Sequence, residues 1–260
     1  MITSTNNAQV KQVAALLKKS KYRKETGLFV VEGIRMFSEL PKDRIHMVYI
    51  SESFGKHSAQ STLLHGISQV ETVSDEVFRS MSDTQNPQGI LALVKQYAYT
   101  LEEVCRMTKP THLMVLETIQ DPGNLGTIMR AGEGAGITGI IMDSTTVDLY
   151  NPKVIRSTMG SIYRVPFVYV ENLIETLEVL KQKSIRFYAA HLKAVHNYDQ
   201  EDYTGNIGFL IGNEAAGLSD EVAELADRYI TIPMAGQVES LNAAVAASVL
   251  MFEAARQRRS

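Results

Sequence analysis

The sequence predicts an α/β fold arranged as two domains, and three observations carry that prediction. Runs with continuous apolar centres, such as "GILALV" (89–94), "HLMVLETI" (112–119) and "GIIMD" (139–143), alternate with helical stretches. That alternation is the mark of a mostly parallel sheet covered on both faces. The 260 residues suffice for one large or two ordinary domains, and 45% hydrophobic content supplies packed cores. Between residues 95 and 112 the periodicity weakens in "KQYAYTLEEVCRMTKPTH" and stops at Lys109-Pro110, which reads as a linker.

The elements follow in order. Residues 1–95 read as a small α/β domain: a helix (6–20), a strand at "LFVVEG" (28–33), a helix (34–40), a strand at "HMVYIS" (46–51), helices near 59–65 and 74–81, and the 89–94 strand. The linker spans 96–111. Residues 112–260 then supply strands at 112–119, 139–143, 165–170, 185–190, 207–212 and 229–233, with helices at 124–135, about 151–159, 171–183, 219–226 and 241–258. No internal repeat or low-complexity tract interrupts them.

Composition excludes several function classes. A formal net charge of −3 makes no global case for nucleic acid, although local clusters can still bind it. Cys105 is the one cysteine, so neither a disulfide nor a thiolate zinc cluster is possible. Histidines 46, 57, 65, 112, 191 and 196 show no metal-ligand spacing; surface or packing roles are expected, and no metal. "MITSTNNAQVKQ" lacks a signal pattern and no apolar run nears the roughly 20 residues of a membrane span, so a soluble cytoplasmic protein without a membrane partner is expected.

One motif misleads. "GAGITG" (134–139) matches the G-x-G-x-x-G of dinucleotide-binding proteins, but that fingerprint needs a strand entering and a helix leaving, so that the helix N-terminus meets the pyrophosphate. Here a helix enters and a strand leaves. The glycines close a helix whose C-terminus offers carbonyls, which repel phosphate.

Ligands of parallel sheets bind beyond the C-terminal ends of the strands. Three loops there combine glycine with Asn, Glu or Ser: "QDPGNLGTIMRAGEGAG" after strand 112–119, "NEAAGLS" after 207–212 and "MAGQVESLNAA" after 229–233. Three such loops along one edge suggest a shared site.

"NLGTIMR" (124–130), "IGNEAAGLS" (211–219) and "IPMAGQVESLNAAVAASV" (232–249) resemble, in order and spacing, the three signature motifs of the SpoU-type RNA 2′-O-ribose methyltransferases. No matched position departs from the pattern: Asn124, Gly126, Arg130, Gly212, Glu214, Gly217, Ile232, Pro233, Ser240, Leu241 and Asn242. More loosely, the first domain, through "FVVEGIRMFSEL" (29–40), is similar to the family's RNA-binding domain of ribosomal-protein type. The resemblance implies S-adenosylmethionine as cofactor, a homodimer and a trefoil knot in the C-terminal domain, a path that general rules of chain threading disfavour.

It also implies residue roles. Arg130 would handle the ribose hydroxyl. A guanidinium keeps its proton above a pKa of about 12, so stabilising the developing alkoxide is a better role for it than that of a base. Asn124, Glu214, Ser240 and Asn242 complete the catalytic group, although Asn124 would serve equally as a helix N-cap and Glu214 as a loop brace. Gly212, Ile232 and Leu241, with neighbouring Ile211 and Met234, would hold the cofactor, and a side chain at Gly212 is expected to fill space the ligand needs.

Two surfaces follow from the residues themselves. "KKSKYRK" (18–24) groups Lys18, Lys19, Lys21, Arg23 and Lys24 around Tyr22, a mix of cations and a stacking ring suited to RNA, or else a solvated helix end. The tail arginines 256, 258 and 259 are a weaker case. The last helix carries Leu241, Ala244, Val245, Ser248, Val249 and Phe252 in one stripe, expected to help form a homodimer. The family resemblance also implies that a separate N-terminal domain favours ribosomal over transfer RNA as substrate. A non-catalytic RNA-binding scaffold should have lost some cofactor-loop residues, and a methyltransferase acting on a transfer-RNA base would carry different motifs.

Overall fold

The computed structural model describes residues 1–56, 62–105, 110–191 and 193–259. The chain divides into two compact units: Met1–Tyr97 with Asp148–Tyr163, and Ala98–Val147 with Arg164–Ser260.

In the first unit four strands, β1 (Leu28–Glu32), β2 (Ile45–Ser51), β3 (Val70–Val73) and β4 (Ile90–Lys95), form a sheet in the order β1-β4-β2-β3. β4 runs antiparallel to both of its neighbours, and β2 and β3 pair parallel. β3 was not legible: its four residues are only partly buried as far as Val73, so it lacks an apolar run. The helix expected at 6–20 is two, α1 (Ala8–Lys18) and α2 (Ser20–Thr26), because Lys19 adopts an extended conformation between them. α3 (Ile34–Ser38), a short α4 (Glu52–Gly55) and α5 (Asp75–Met81) follow. The helix expected near 59–65 lies partly outside the described residues, as does His57, and 62–64 make a single 3-10 turn. The core gathers Val13, Leu16, Tyr49, Phe78, Leu91 and Leu93.

The segment Asp148–Tyr163 was expected inside the second domain and packs instead with the first unit. Its helix α8 (Pro152–Thr158) lies against β1, the ring of Tyr150 sits 4.8 Å from that of Phe29, and Tyr163 Oη donates to the Met36 carbonyl at 3.2 Å.

The expected 96–111 linker is also not bare. Thr100 and Glu103 form a capping box for α6 (Leu101–Val104), and Val104 and Cys105 join the core of the second unit. Residues 106–109 lie outside the described residues.

The second unit holds seven strands: β5 (His112–Leu116), β6 (Gly139–Asp143), β7 (Phe167–Val170), β8 (Arg186–Ala190), β9 (His196–Asn197), β10 (Ile207–Ile211) and β11 (Arg228–Thr231). They are ordered β7-β6-β5-β10-β8-β11-β9, every pair parallel. The central strands β5 and β10 are buried at every residue, as their apolar runs require, and β5 takes His112 into the interior with them. Covering helices are α7 (Pro122–Ala135), α9 (Leu173–Gln182), the short α10 (Asp220–Ala223) and α11 (Ala243–Gln257), which packs against α7.

The "GAGITG" segment behaves as its neighbours demand. α7 ends at Ala135, and Gly136 takes a left-handed φ of 73° while the Ile137 N–H returns to the Gly132 carbonyl. β6 starts three residues later, and no helix opens from the glycines.

A candidate methyl-transfer site at the C-terminal strand ends

In the second unit the chain leaves β5, β10 and β11 at one edge of the sheet, and the three loops that follow are tied into a single network. Asp121 caps α7 by accepting the Asn124 N–H at 2.8 Å. Asn124 is therefore not the cap; its side chain, 8% exposed, is free for a longer reach. Its Nδ2 donates to Glu214 Oε1 at 2.9 Å, and its Oδ1 accepts from Asn242 Nδ2 at 2.9 Å. Asn242 Oδ1 accepts the N–H groups of Ala244 and Val245, capping α11. Glu214 also accepts the main-chain N–H groups of Asp121 at 3.1 Å and Gln120 at 3.2 Å. Partial burial pushes the Glu214 carboxyl up, but these donors, Asn124 foremost, outweigh it and hold the pKa below the usual range.

Asn213 shapes the middle loop. Its N–H and carbonyl exchange hydrogen bonds with Gly217, both at 2.9 Å, and its Oδ1 accepts from Ala215 and Ala216. A Cβ on Gly212 would fall 2.2 Å from the Gly217 carbonyl carbon and the Leu218 nitrogen. The expectation that a side chain there would crowd the ligand is thus corrected: it would first collide with the loop's own backbone.

A second brace, unforeseen from the sequence, sits behind this loop. Thr118 holds a left-handed φ of 56°, unusual for a β-branched residue. Asp143 fixes it by accepting its N–H at 3.0 Å and its hydroxyl at 2.9 Å, along with donors from Thr145 and Thr146. Burial works against the Asp143 charge, yet these donors draw its pKa below the ordinary value. The Thr118 carbonyl, so turned, accepts Asn213 Nδ2 at 2.9 Å. Repeated Thr residues in "DSTT" were the only available sign.

Between the second and third loops lies a cleft of about 240 Å³. Ile211, Gly212, Ile232, Met234, Ser240 and Leu241, all expected near a ligand, line it. Ala190 and His191, at the end of β8, line it too and were missed; the alignment of strand ends was their one signal. From Ile232 to Leu241 no main-chain hydrogen bond is made among the described residues, which leaves a run of backbone donors and acceptors beside apolar walls.

Arg130 does not line this cleft. It stands exposed on α7, six residues beyond Asn124, and its side chain makes no ion pair or hydrogen bond among the described residues.

The expected RNA cluster divides. Lys18, Lys19, Lys21 and Lys24 are exposed, and Lys21 lies 3.8 Å from Glu25. Arg23 is corrected: it is buried, pairs with Asp148 at 2.6 Å and donates to the Leu16 carbonyl at 2.7 Å, so it holds its own unit together. Tyr22 leans on the core of that unit and is not an exposed stacking ring. In the tail, Arg256 pairs with Glu253 and Arg258 donates to the carbonyls of Tyr203, Thr111 and Gly205. The α11 stripe narrows as well: Ala244 faces the core, while Val245 and Phe252 are 48% and 46% exposed.

Comparison with known proteins agrees with this arrangement. The model of the SpoU rRNA Methylase family matches residues 111–252. The chain belongs to the SpoU rRNA methylase family. An MRM3-like substrate binding domain matches residues 7–92. Among relatives, an uncharacterized tRNA/rRNA methyltransferase of Synechocystis is 34% identical, over 99% of this chain and 94% of that protein. The Bacillus subtilis 23S rRNA (guanosine(2553)-2'-O)-methyltransferase RlmP is 31% identical, over 96% and 97%. The SpoU methyltransferase AviRb of Streptomyces viridochromogenes, solved with AdoMet, superposes with a TM-score of 0.87 at 28% identity, covering 97% of this chain and 99% of that one. The three loops joined by Asn124 all lie within the matched residues 111–252.

Proposed function

We propose that this protein transfers a methyl group from S-adenosylmethionine to a ribose 2′-hydroxyl of ribosomal RNA. The observation that carries the reading is the relay Glu214–Asn124–Asn242, which ties the first motif loop to the second and third, the two that enclose the cleft. The AdoMet-bound relative and the 2′-O-methyltransferase name of the B. subtilis relative support the cofactor and the position of transfer.

The cleft residues fit the cofactor. Ile211, Ile232, Met234 and Leu241 offer apolar walls to a planar base, and the unpaired main chain from Ile232 to Leu241 offers it directed hydrogen bonds. Bound S-adenosylmethionine supplies a methyl group activated by a sulfonium. The chain's own part is alignment and charge. Holding a hydroxyl in line with a fixed methyl donor removes much of the entropic barrier. Arg130, whose side chain has no partner among the described residues, has its full fork of donors for the ribose oxygen as that oxygen gives up its proton to solvent, with Ser240 and Asn242 in the third motif loop.

The same reading includes a homodimer through the exposed Val245 and Phe252 of α11, beside Gly134 of α7, where a Cβ would lie 3.5 Å from Phe252 Cζ. The knotted C-terminal path, RNA contact by the exposed lysines 18, 19, 21 and 24, the division into an RNA-binding domain near 1–95 and a catalytic domain near 112–260, and a cytoplasmic location belong to it too. No helix among the described residues is long and apolar enough to cross a membrane. Mapping ribose methylation across total RNA from cells with and without the protein tests the reading: loss of a discrete ribosomal 2′-O-methyl mark is expected, and an unchanged map would contradict it.

A further inference from the structure

A polar cleft of about 530 Å³ opens in the first unit, between the end of β2, the start of α5 and the loop 82–89, apart from every motif discussed above. Phe54 and Phe78 lie beneath it, and Ser53, Asp75, Gln85 and Asn86 line it.

The loop is held from its root. Glu32, at the end of β1, accepts from Ser82 Oγ at 2.5 Å, Thr84 Oγ1 at 2.6 Å and the Asp83 N–H at 3.1 Å. Arg156 of α8 pairs with Asp83 at 2.6 Å. At the other end Gln88 Oε1 accepts the Ile34 N–H at 2.8 Å. Between these anchors Gln85 and Asn86 are exposed, and their carboxamides make no hydrogen bond among the described residues. A carboxylate devoted to fixing a surface loop, with two open carboxamides held at its tip beside a cleft, is the arrangement that preorganises a binding site.

The lining selects the ligand. A carboxamide presents a donor beside an acceptor, which matches the edge of a nucleobase. Asp75, fixed by the Ser53 hydroxyl at 2.7 Å and N–H at 3.1 Å, sets a carboxylate at the wall; it repels phosphate and accepts from an exocyclic amine. Arg79, whose Nε donates to the Asp75 carbonyl at 3.3 Å, leaves its terminal nitrogens at the rim for a backbone phosphate. Sequence reading of RNA falls mainly on unpaired bases splayed from loops and bulges. We infer that this cleft takes one unpaired base of the RNA substrate, read on its edge by Gln85 and Asn86. The inference rests on the reading that the protein acts on RNA.

Two measurements on the full-length protein test it. The side-chain amide resonances of Gln85 and Asn86 are followed by NMR during titration with adenosine, cytidine, guanosine and uridine, and separately with ribose 5-phosphate. At least one nucleoside should shift both amides, and ribose 5-phosphate should not; silence toward all four nucleosides, or an equal response to the sugar phosphate, overturns the inference. In the second, the double variant Gln85→Ala/Asn86→Ala should bind a 23S rRNA transcript roughly tenfold more weakly, as expected when one base edge goes unread. Its dependence on salt should not change, because every phosphate partner is still in place. Parent-like affinity, or a shallower salt slope, would count against it. If the parent protein transferred no methyl group while the amides still answered to nucleosides, the proposed reaction would fall and the base site would stand.

Discussion

The Asn124 side-chain amide donates to Glu214 Oε1 at 2.9 Å, joining residues 90 positions apart in sequence. Because Asn124 also accepts from Asn242, its side chain is hydrogen-bonded to both other motif loops. Asn124→Ala should therefore cost more than a lost side chain. It leaves Glu214 and Asn242 each short of a partner, a loss of about 1–3 kcal/mol in stability. S-adenosylmethionine affinity, read by calorimetry, should fall together with methylation rate. Unchanged binding and rate would show that the loops hold their places without the relay.

Gly212→Ala is a small change with a large expected effect. The new methyl group would overlap the Gly217–Leu218 backbone at 2.2 Å, which cannot yield without opening the loop. Cofactor affinity should fall more than tenfold, about 1.4 kcal/mol, while the far-UV spectrum stays that of the parent. Parent-like affinity would show that this loop does not frame the cofactor.

His112 gives the stability a pH dependence. Burial, with the nearby Arg258 charge, pushes its pKa down to about 3 from 6.5, and neither ring nitrogen has a hydrogen-bond partner among the described residues. The unfolded chain takes up a proton below 6.5 and the folded one does not. Above pH 6.5 this group costs the fold nothing, and as pH falls from 6.5 toward 3 stability drops by up to about 1.4 kcal/mol per pH unit. In His112→Phe, denaturant midpoints measured from pH 7 to 4 should decline less steeply than in the parent. Identical slopes would assign the decline to other groups.

Much of this was legible in the sequence. The parallel sheet was readable because β5 and β10, apart from His112, carry no polar side chain, and the ligand edge because glycine and polar residues crowd the loops after β5, β10 and β11. What escaped were features made by distant pairing. Asp148–Tyr163 follows β6 in the chain and reads as part of the second domain, yet Arg23–Asp148 and Phe29–Tyr150 hold it to the first unit. Arg23 looked like one more surface cation in a basic run, since nothing local reveals that an aspartate 125 residues away neutralises it. The Thr118–Asp143 brace is likewise invisible along the chain, as each residue is ordinary alone.

That packing changes how the RNA surface should be probed. Deleting residues 1–95 would strip the cover from Tyr150 and α8, so the deletion would report misfolding as well as weaker RNA binding. Replacing Lys18, Lys19, Lys21 and Lys24 with Ala leaves Arg23 and the fold in place. If the four meet phosphates, the slope of log affinity against log salt should flatten by roughly 0.7–0.9 for each phosphate that is no longer neutralised. A slope equal to the parent's would identify the cluster as a solvated helix end.

The central claim concerns a methyl group, a ribose oxygen and Arg130, and one measurement addresses all three. Full-length protein in excess over ribosomal RNA is supplied with methyl-labelled S-adenosylmethionine, and the RNA is digested to nucleosides at timed intervals under single-turnover conditions. The account predicts that the label appears as a 2′-O-methylnucleoside. Arg130→Ala should form it at least a hundredfold more slowly, about 2.7 kcal/mol of lost transition-state stabilisation, with cofactor affinity retained. Arg130→Lys should recover little of that rate, because a point charge does not replace a planar fork of donors. Label on a base, or an Arg130→Ala rate close to that of the parent, would contradict the account.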